Sequence, residues 1–411
     1  MPTGTLLRSL MFTSVMSSPL LEPCLAMMKL VVNSQSPVFD PRKNPIVDHL
    51  LRATIYNHFC AGTDEAEVRQ SVKSMKDMGY KGVILGYARE VVVNEPEDCN
   101  IPISEQNQQT LHLRAVEEWK LGNLQTLKMI GPGDYLSMKF TGAGPVAVEA
   151  LSRGDPIPPA CIQHAMDEIC EQTARQGSRL WIDAEQQVFQ HAIDKWTIGL
   201  MRKYNGQGKA VVFNTIQAYL KSSAQNVHHH LQLAQQEGWT LGIKLVRGAY
   251  IAHDIRSRIH DTKQDTDRNY NHIIARLLSQ QSPLDDSMHP FPDVRLFVAG
   301  HNAESVHKAC TLHRSRIMQG QPTIPTQFGQ LQGMADNISC ELLAEGRRAD
   351  PQCPKQQAAV PQAFKALAWG STSECLHFLL RRAVENKGAV ERTRHMADAL
   401  RMELWRRLRS D

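Results

Sequence analysis

The feature that most limits what this chain can become is a rhythm that begins after Tyr80. Short apolar runs, rich in β-branched residues, recur with polar or glycine-containing ends, and each is followed by a helical stretch. They are G-V-I-L-G-Y-A-R from residue 82, Y-L-S-M-K-F-T-G from 135, R-L-W-I-D-A-E from 179 and A-V-V-F-N-T-I-Q from 210. The series continues with L-G-I-K-L-V-R-G from 241, V-R-L-F-V-A-G-H-N from 294, T-Q-F-G-Q-L-Q-G from 326 and A-F-K-A-L-A-W-G from 363. Such runs alternating with helices predict an α/β chain closed into a (β/α)8 barrel. An open doubly wound sheet is the rival, disfavoured because no G-x-G-x-x-G follows an early strand.

Ahead of the rhythm lies a different region. Residues 1–35 are rich in Met, Ser, Leu and Thr, with Arg8 and no acid before Glu22, a bias that resembles a mitochondrial presequence. Pro19, Glu22, Pro23 and Lys29 break its apolar runs well short of a membrane-spanning length. A short helical arm is expected instead, lying on a membrane surface or on the main domain. Pro37, Pro41 and Pro45 predict a loop. Asp64 to Tyr80 predicts a helix with Val68, Val72 and Met75 on one face and Thr63 as its cap. The expected division is an N-terminal helical arm over 1–80 and a catalytic barrel over 81–411, with Ala349 to Gln362 a loop before the eighth strand.

Charge and cysteine usage narrow the function. The formal net charge is only +4, no long Lys/Arg block occurs, and aromatic residues make up 6% of the chain, so a nucleic-acid partner is poorly supported. The 9 cysteines are odd in number and contain no C-x-x-C pair, which suits free thiols in a reducing compartment and offers no zinc site. His228, His229 and His230 lack a partner at ligand spacing, so they predict a polar helix surface and no metal site.

The stretch from Ser371 to Gly388 reads as one bounded helix. Ser371 and Glu374 form a capping box, and Gly388 suits the left-handed stop. Leu376, Leu379, Leu380 and Ala383 make an apolar stripe, which puts Phe378, Arg381, Arg382 and Glu385 on the other side. Two readings stand for that side: a planar-fork seat for a small carboxylate, or a solvated face with an Arg381–Glu385 pair. The barrel expectation favours the first, because this helix starts at the mouth where barrels place function. The same rim gathers Lys139, Asp183, Glu185, Asn214, Gln217, Lys244, Arg247, His301, Asn302 and Gln330. Cations near a few carboxylates predict a small anionic ligand, an amino or imino acid. Singly, Lys139 and Lys244 read equally well as interior lysines paired with Asp183 or Glu185. Gln217 and Asn214 read equally well as groups satisfying strand-end backbone.

Taken together, these residues resemble the proline dehydrogenase family. K-L-V-R-G-A-Y (Lys244–Tyr250) and L-L-R-R-A-V-E-N (Leu379–Asn386) carry the resemblance most strongly. W-I-D-A-E (Trp181–Glu185), F-N-T-I-Q-A-Y-L (Phe213–Leu220), M-K-F-T (Met138–Thr141) and Q-L-Q-G-M-A-D (Gln330–Asp336) agree in order. The resemblance implies a distorted (β/α)8 TIM-like barrel that holds FAD, oxidises L-proline to 1-pyrroline-5-carboxylate and passes electrons to ubiquinone. It implies a mitochondrial location, at the matrix side of the inner membrane with peripheral membrane contact, although Arg8 to Leu30 resembles the family's helical arm and leaves no evident transit peptide. Asp183 and Lys244 take the catalytic positions. Lys139, Arg381, Arg382, Leu245, Ala249, Tyr250 and Leu331 match substrate positions. Ala184, Gln217, Lys244, Arg247, Gly248, Ala249, Gly300, His301 and Glu385 match flavin contacts. Since the amine must be neutral before hydride leaves, the reaction is expected to quicken at alkaline pH.

Two departures bear on the substrate. A family tyrosine is Ala366 here and a second is Phe378, so two hydroxyls are lost and Ala366 leaves extra room. Gly300 stands where a hydroxyl residue often precedes the histidine. The alternatives are a paralogue acting on hydroxyproline or another cyclic imino acid, and a degenerate, non-catalytic paralogue. A Schiff-base aldolase using an interior lysine is a more distant option.

Overall fold

The structure, a computed structural model, describes residues 3–19, 21–34, 36–88, 105–251, 254–286, 288–385 and 390–409. Eight strands form a closed parallel barrel in chain order. They are β1 (Gly82–Tyr87), β2 (Tyr135–Met138), β3 (Arg179–Ile182), β4 (Val212–Gln217), β5 (Leu241–Val246), β6 (Val294–Ala299), β7 (Thr326–Leu331) and β8 (Gln362–Trp369). All eight apolar runs became strands. Each could do so because a parallel strand is covered on both faces and so needs an apolar run with little polar alternation.

The chain divides into two units, and each is described by itself. One comprises Ile84–Val298 and Gln319–Thr326. Its strands pair in register, with Ser137 beside Trp181, Trp181 beside Phe213, and Lys244 beside both Thr215 and Phe297. Tyr135, Trp181, Phe213 and Phe297 project from β2, β3, β4 and β6 into one layer of rings, with centroids 4.5–5.3 Å apart and mostly edge-to-face. Burying each ring contributes on the order of 2–3 kcal/mol, and edge-to-face contact adds about 1 kcal/mol per pair. Gly242 makes room for this layer: a Cβ there would lie 2.6 Å from the Val212 carbonyl and 2.8 Å from the Phe213 ring. Around the strands, Lys263–Leu278 starts at a Thr262–Asp265 capping box. Ala160–Gln176 and Ser223–Glu237 end at Gly177 and Gly238 in the left-handed conformation.

The other unit comprises Met1–Val83, Ala299–Met318 and Gln327–Asp411. Helix Thr3–Met16 packs on Val390–Leu408 through Leu6, Leu10, Leu400 and Leu404. Phe12 stacks on His58 at 4.7 Å, and His58 is buried. Burial holds the His58 imidazole well below its ordinary value, at about 4, despite the nearby Asp336 carboxylate. Among the described residues no single helix is long and apolar enough to cross a membrane.

Three local expectations change in this unit. Pro45 opens helix Pro45–Leu51, where a missing N–H is harmless, and Asn44 caps it by accepting from the Ile46 and Val47 amides. Helix Glu65–Asp77 is capped by Asp64, which accepts from the Glu67 amide, whereas the Thr63 hydroxyl donates to the Glu67 carboxylate. A charged acceptor serves the amide better than a hydroxyl that has a carboxylate to donate to. The stretch before β8 contains a short helix, Pro354–Ala358, again started by a proline in the first turn. The Ser371–Glu374 capping box forms as the sequence predicts, with reciprocal bonds of 2.8 and 3.3 Å at the start of Thr372–Glu385.

Candidate functional site

In the unit holding β2 to β5, strand alternation decides which side chains enter the barrel. Tyr135 and Trp181 belong to the ring layer, so Ser137 and Asp183, two residues further on, point the same way. Lys244 reaches the same level from β5. Its Nζ donates to Asp183 Oδ1 at 2.5 Å, and Ser137 Oγ donates to Asp183 Oδ2 at 3.0 Å. The ammonium lies over the Trp181 ring, 4.3 Å from its centroid. Side-chain exposure is 12% for Lys244 and 21% for Asp183, so the pair is partly desolvated and open on one side. Burial pushes the Asp183 carboxyl up, but the charges of Lys244 and Lys139 outweigh it and hold the group below its ordinary value. Asp183 is therefore a carboxylate at neutral pH. Lys139, at the end of β2, is half-buried, and its carbonyl accepts from the Trp119 indole at 3.1 Å.

The next tier is more structural in character. Glu185 accepts from both the amide and the hydroxyl of Thr141, fixing the turn after β2. Burial raises its carboxyl above the ordinary range although Thr141 and Lys139 oppose this. Gln217 is buried and links two backbones, donating to the Glu185 carbonyl at 3.3 Å and accepting from the Ala249 amide at 3.2 Å. Arg247 is paired with Asp267 at 2.8 Å and lies on the Tyr270 ring at 4.3 Å. Gly248 has φ +146, and a Cβ there would meet the Tyr219 ring at 2.3 Å, so no side chain is tolerated. Ala184 and Leu245 are buried, and Ala249 and Tyr250 are partly exposed.

Asn214 does not join this group. Phe213 takes the interior side of β4, so Asn214 turns to the helices, where it donates to Asp194 at 2.9 Å and meets His230 Nε2 at 3.0 Å. That contact also corrects the reading of the triple histidine: His230 is fully buried and bonded to the Asn226 carbonyl through Nδ1, while His229 remains exposed. Burial lowers the His230 pKa, in keeping with a neutral ring in a hydrogen-bonded network.

In the other unit, Gly300 donates its amide to the Gly329 carbonyl at 3.2 Å. His301 Nε2 accepts from the Leu331 amide at 3.1 Å, which leaves Nδ1 as the protonated nitrogen of a neutral ring. Asn302 is a helix cap, accepting from the Ser305 amide. Gln330 faces the helices instead of the rim, accepting from Ser339 at 2.9 Å, because its strand neighbour Lys365 and Asp336 draw that side into a buried polar cluster. Lys365 donates to Asp336 at 2.8 Å, to Ser339 at 2.9 Å and to the Met334 carbonyl at 3.2 Å. Ser9 donates to the other oxygen of Asp336 at 2.8 Å. Arg381, Arg382 and Glu385 lie on the backbone of helix Thr372–Glu385, and their side chains are outside the described residues.

Sequence reasoning missed Ser137, Trp181 and the Lys365–Asp336 pair. Ser137 and Trp181 were legible as the i−2 neighbours of Lys139 and Asp183 on strands of period 2. Lys365, a charge inside an otherwise apolar run, was the signal for the buried pair.

A family model described as "Proline dehydrogenase" matches residues 68–395. The chain is similar to the probable mitochondrial proline dehydrogenase of Schizosaccharomyces pombe, at 29% identity over 406 residues, covering 87% of this chain and 80% of that protein. It is also similar to hydroxyproline dehydrogenase of Bos taurus, at 27% identity over 408 residues, covering 87% and 82%. Among solved structures it is similar to proline utilization A from Bdellovibrio bacteriovorus, with a TM-score of 0.65 and 16% identity. That match covers 91% of this chain but 38% of the other, and at such identity the likeness is one of fold.

Proposed function

The chain belongs to the proline dehydrogenase family, and from that membership we propose that it oxidises L-proline to 1-pyrroline-5-carboxylate, with FAD as its cofactor and ubiquinone as the electron acceptor. The observation that carries this reading is the Ser137–Asp183–Lys244 group, seated on a layer of rings at the carboxyl ends of the barrel strands. Function in such barrels resides at those ends.

The donor set in this unit fits a flavin dinucleotide. Lys244 and Arg247 are cations already aligned by Asp183 and Asp267. Gly248 offers bare backbone beside them. A pyrophosphate and a ring that gains negative charge on reduction both call for fixed cations and exposed amides. Ala184, Gln217, Lys244, Arg247, Gly248 and Ala249 would hold the cofactor here, and Gly300, His301 and Glu385 are its further contact positions by resemblance. Bound FAD supplies the hydride acceptor.

The chain's own residues bind, orient and hold charge. Arg381 and Arg382 would grip the substrate carboxylate as paired planar forks, with Lys139 adding a third cation. Leu245, Ala249, Tyr250 and Leu331 would give an apolar wall to the pyrrolidine ring. Asp183, kept ionised, aligns Lys244 and favours its ammonium form. Hydride transfer needs little acid–base machinery but demands close placement of the reacting carbon. The names of its relatives support a mitochondrial site for this chain, and the matrix side of the inner membrane is proposed from the family resemblance.

The test is anaerobic mixing of the FAD-loaded protein with L-proline. Loss of the yellow flavin absorbance is expected, and a protein that keeps its colour would end the reading. A second substrate has a specific observation behind it. Ala366 and Phe378 lack the hydroxyls of the family tyrosines, and a hydroxyproline dehydrogenase is among the relatives. Bleaching by trans-4-hydroxy-L-proline and not by proline would favour that substrate.

A further inference from the structure

Trp181 lies against the Lys244–Asp183 pair without touching either charge through a hydrogen bond. It is 3% exposed, belongs to the ring layer formed with Tyr135, Phe213 and Phe297, and carries an indole N–H with no hydrogen-bond partner among the described residues. Its ring is clamped by Phe297 at 4.5 Å and 82° and by Tyr135 at 5.0 Å and 43°. Tyr135 is itself packed edge-on against Phe213 and Phe297. A ring held from two sides presents a fixed face, and the Lys244 ammonium lies over that face at 4.3 Å.

We infer that Trp181 is a positioning residue that keeps Lys244 protonated and aimed at the carboxyl ends of the strands. The proposal rests on the reading of Lys244 as the cation of the reacting site, and it deepens that reading. Two groups stabilise the ammonium, and they differ in kind. Asp183 attracts the charge but is also a base, so at low dielectric the pair can relax by moving the proton from Nζ to the carboxylate and leaving two neutral groups. An aromatic face attracts a cation through its quadrupole and can accept no proton. With the ring beneath it, the neutral amine loses an attraction that the ammonium keeps, so the charged pair is preferred. The ring also works without taking one of the lysine's hydrogen bonds. Ser137 acts in the same sense from the other side, since its donation to Asp183 Oδ2 favours the carboxylate form. The result is a permanent positive charge at a partly buried site, which is what a reaction delivering negative charge to a neighbouring acceptor requires.

The alternative is that Trp181 only fills volume. Lys244 can be followed by NMR in protein labelled with ¹³C and ¹⁵N lysine, its signal assigned by absence in Lys244→Met. This measurement needs neither cofactor nor substrate. In Trp181→Phe, which retains a ring but a weaker face, the ammonium should titrate between wild type and Trp181→Leu. In Trp181→Leu it should release its proton at least tenfold more readily, about one pH unit earlier. Should the Leu variant fold poorly, replacing tryptophan by mono- and difluorotryptophan keeps the shape and weakens the ring face stepwise, and the titration should shift stepwise with it. In the FAD-loaded protein, a tenfold loss in the two-electron reduction equilibrium of Trp181→Leu would appear as a midpoint about 30 mV more negative. Titrations that coincide for wild type, Leu and the fluorinated series would overturn the proposal. Failure of L-proline to bleach the wild type would instead remove the assigned reaction and leave the lysine titration readable.

Discussion

Two lysine–aspartate pairs, one in each unit, carry the same charges in different surroundings. Lys365–Asp336 is sealed: the side chains are 3% and 7% exposed, and the ammonium's donors go to Asp336, Ser339 and the Met334 carbonyl. Burial works against both charges, yet each partner's field wins, so Asp336 is held below and Lys365 above its ordinary value. Lys244–Asp183 is more open, at 12% and 21%, and rests on an indole. The sealed pair ties β8 to helix Asp336–Arg348 and, through Ser9, to the N-terminal helix. The open pair faces the strand ends. A buried ion pair on a barrel strand is therefore not a functional signal by itself; what distinguishes the two is whether water and a ligand can reach one side.

The largest effect expected from breaking this comparison is on stability. Lys365→Met strands a buried carboxylate and should lower unfolding free energy by about 3–5 kcal/mol, read from a urea midpoint. Adding Asp336→Leu should recover most of that loss, because the orphaned charge is then gone. Lys244→Met should cost only about 1 kcal/mol, since Asp183 can still be hydrated. Equal losses at the two sites would erase the distinction.

Next in size is the substrate grip. Arg381→Met should raise KM for proline by roughly 10- to 150-fold, the worth of a charge-assisted hydrogen bond, with flavin content unchanged. An unchanged KM would remove the carboxylate role from this helix. Ser9→Ala is smaller still, about 1 kcal/mol of stability, with KM untouched.

The smallest effects are those of pH. A depressed folded-state value means Asp336 contributes stability above the ordinary aspartate range, and this is lost as pH falls through the folded value. Lys365, raised in the fold, contributes below the ordinary lysine range and loses that contribution as pH rises through its folded value. Stability from this pair should thus be flat across neutral pH and decline at both extremes. Asp336→Asn should flatten the acid side of a stability–pH curve, and an acid side unchanged by that substitution would count against the assignment.

Much of the fold was legible because parallel strands must be apolar on both faces, so each run stood out without help from its neighbours. The polar rim was less so. Asn214 and Gln330 sit on strands in the expected places, yet each turns toward the helices, since one residue of register decides the face. Asp183 and Lys244 could be named from sequence and their pairing stood as one of several readings, but which lysine met which carboxylate could not be chosen, because the contact joins strands 61 positions apart. Thr63 lost the cap to Asp64 for a reason visible only once Glu67 was seen to take the threonine hydroxyl. His230 read as surface because its side-chain partner, Asn214, comes from a separate element, β4.

One measurement bears most directly on the division between the two pairs: the anaerobic rate at which L-proline bleaches the flavin in Asp183→Ala and in Lys365→Met, each relative to wild type and per folded molecule at neutral pH. With Lys244 no longer aligned, Asp183→Ala should be slower by at least about a hundredfold, while Lys365→Met should match wild type. An Asp183→Ala protein that bleaches at the wild-type rate, or a Lys365→Met protein that does not, would contradict the account.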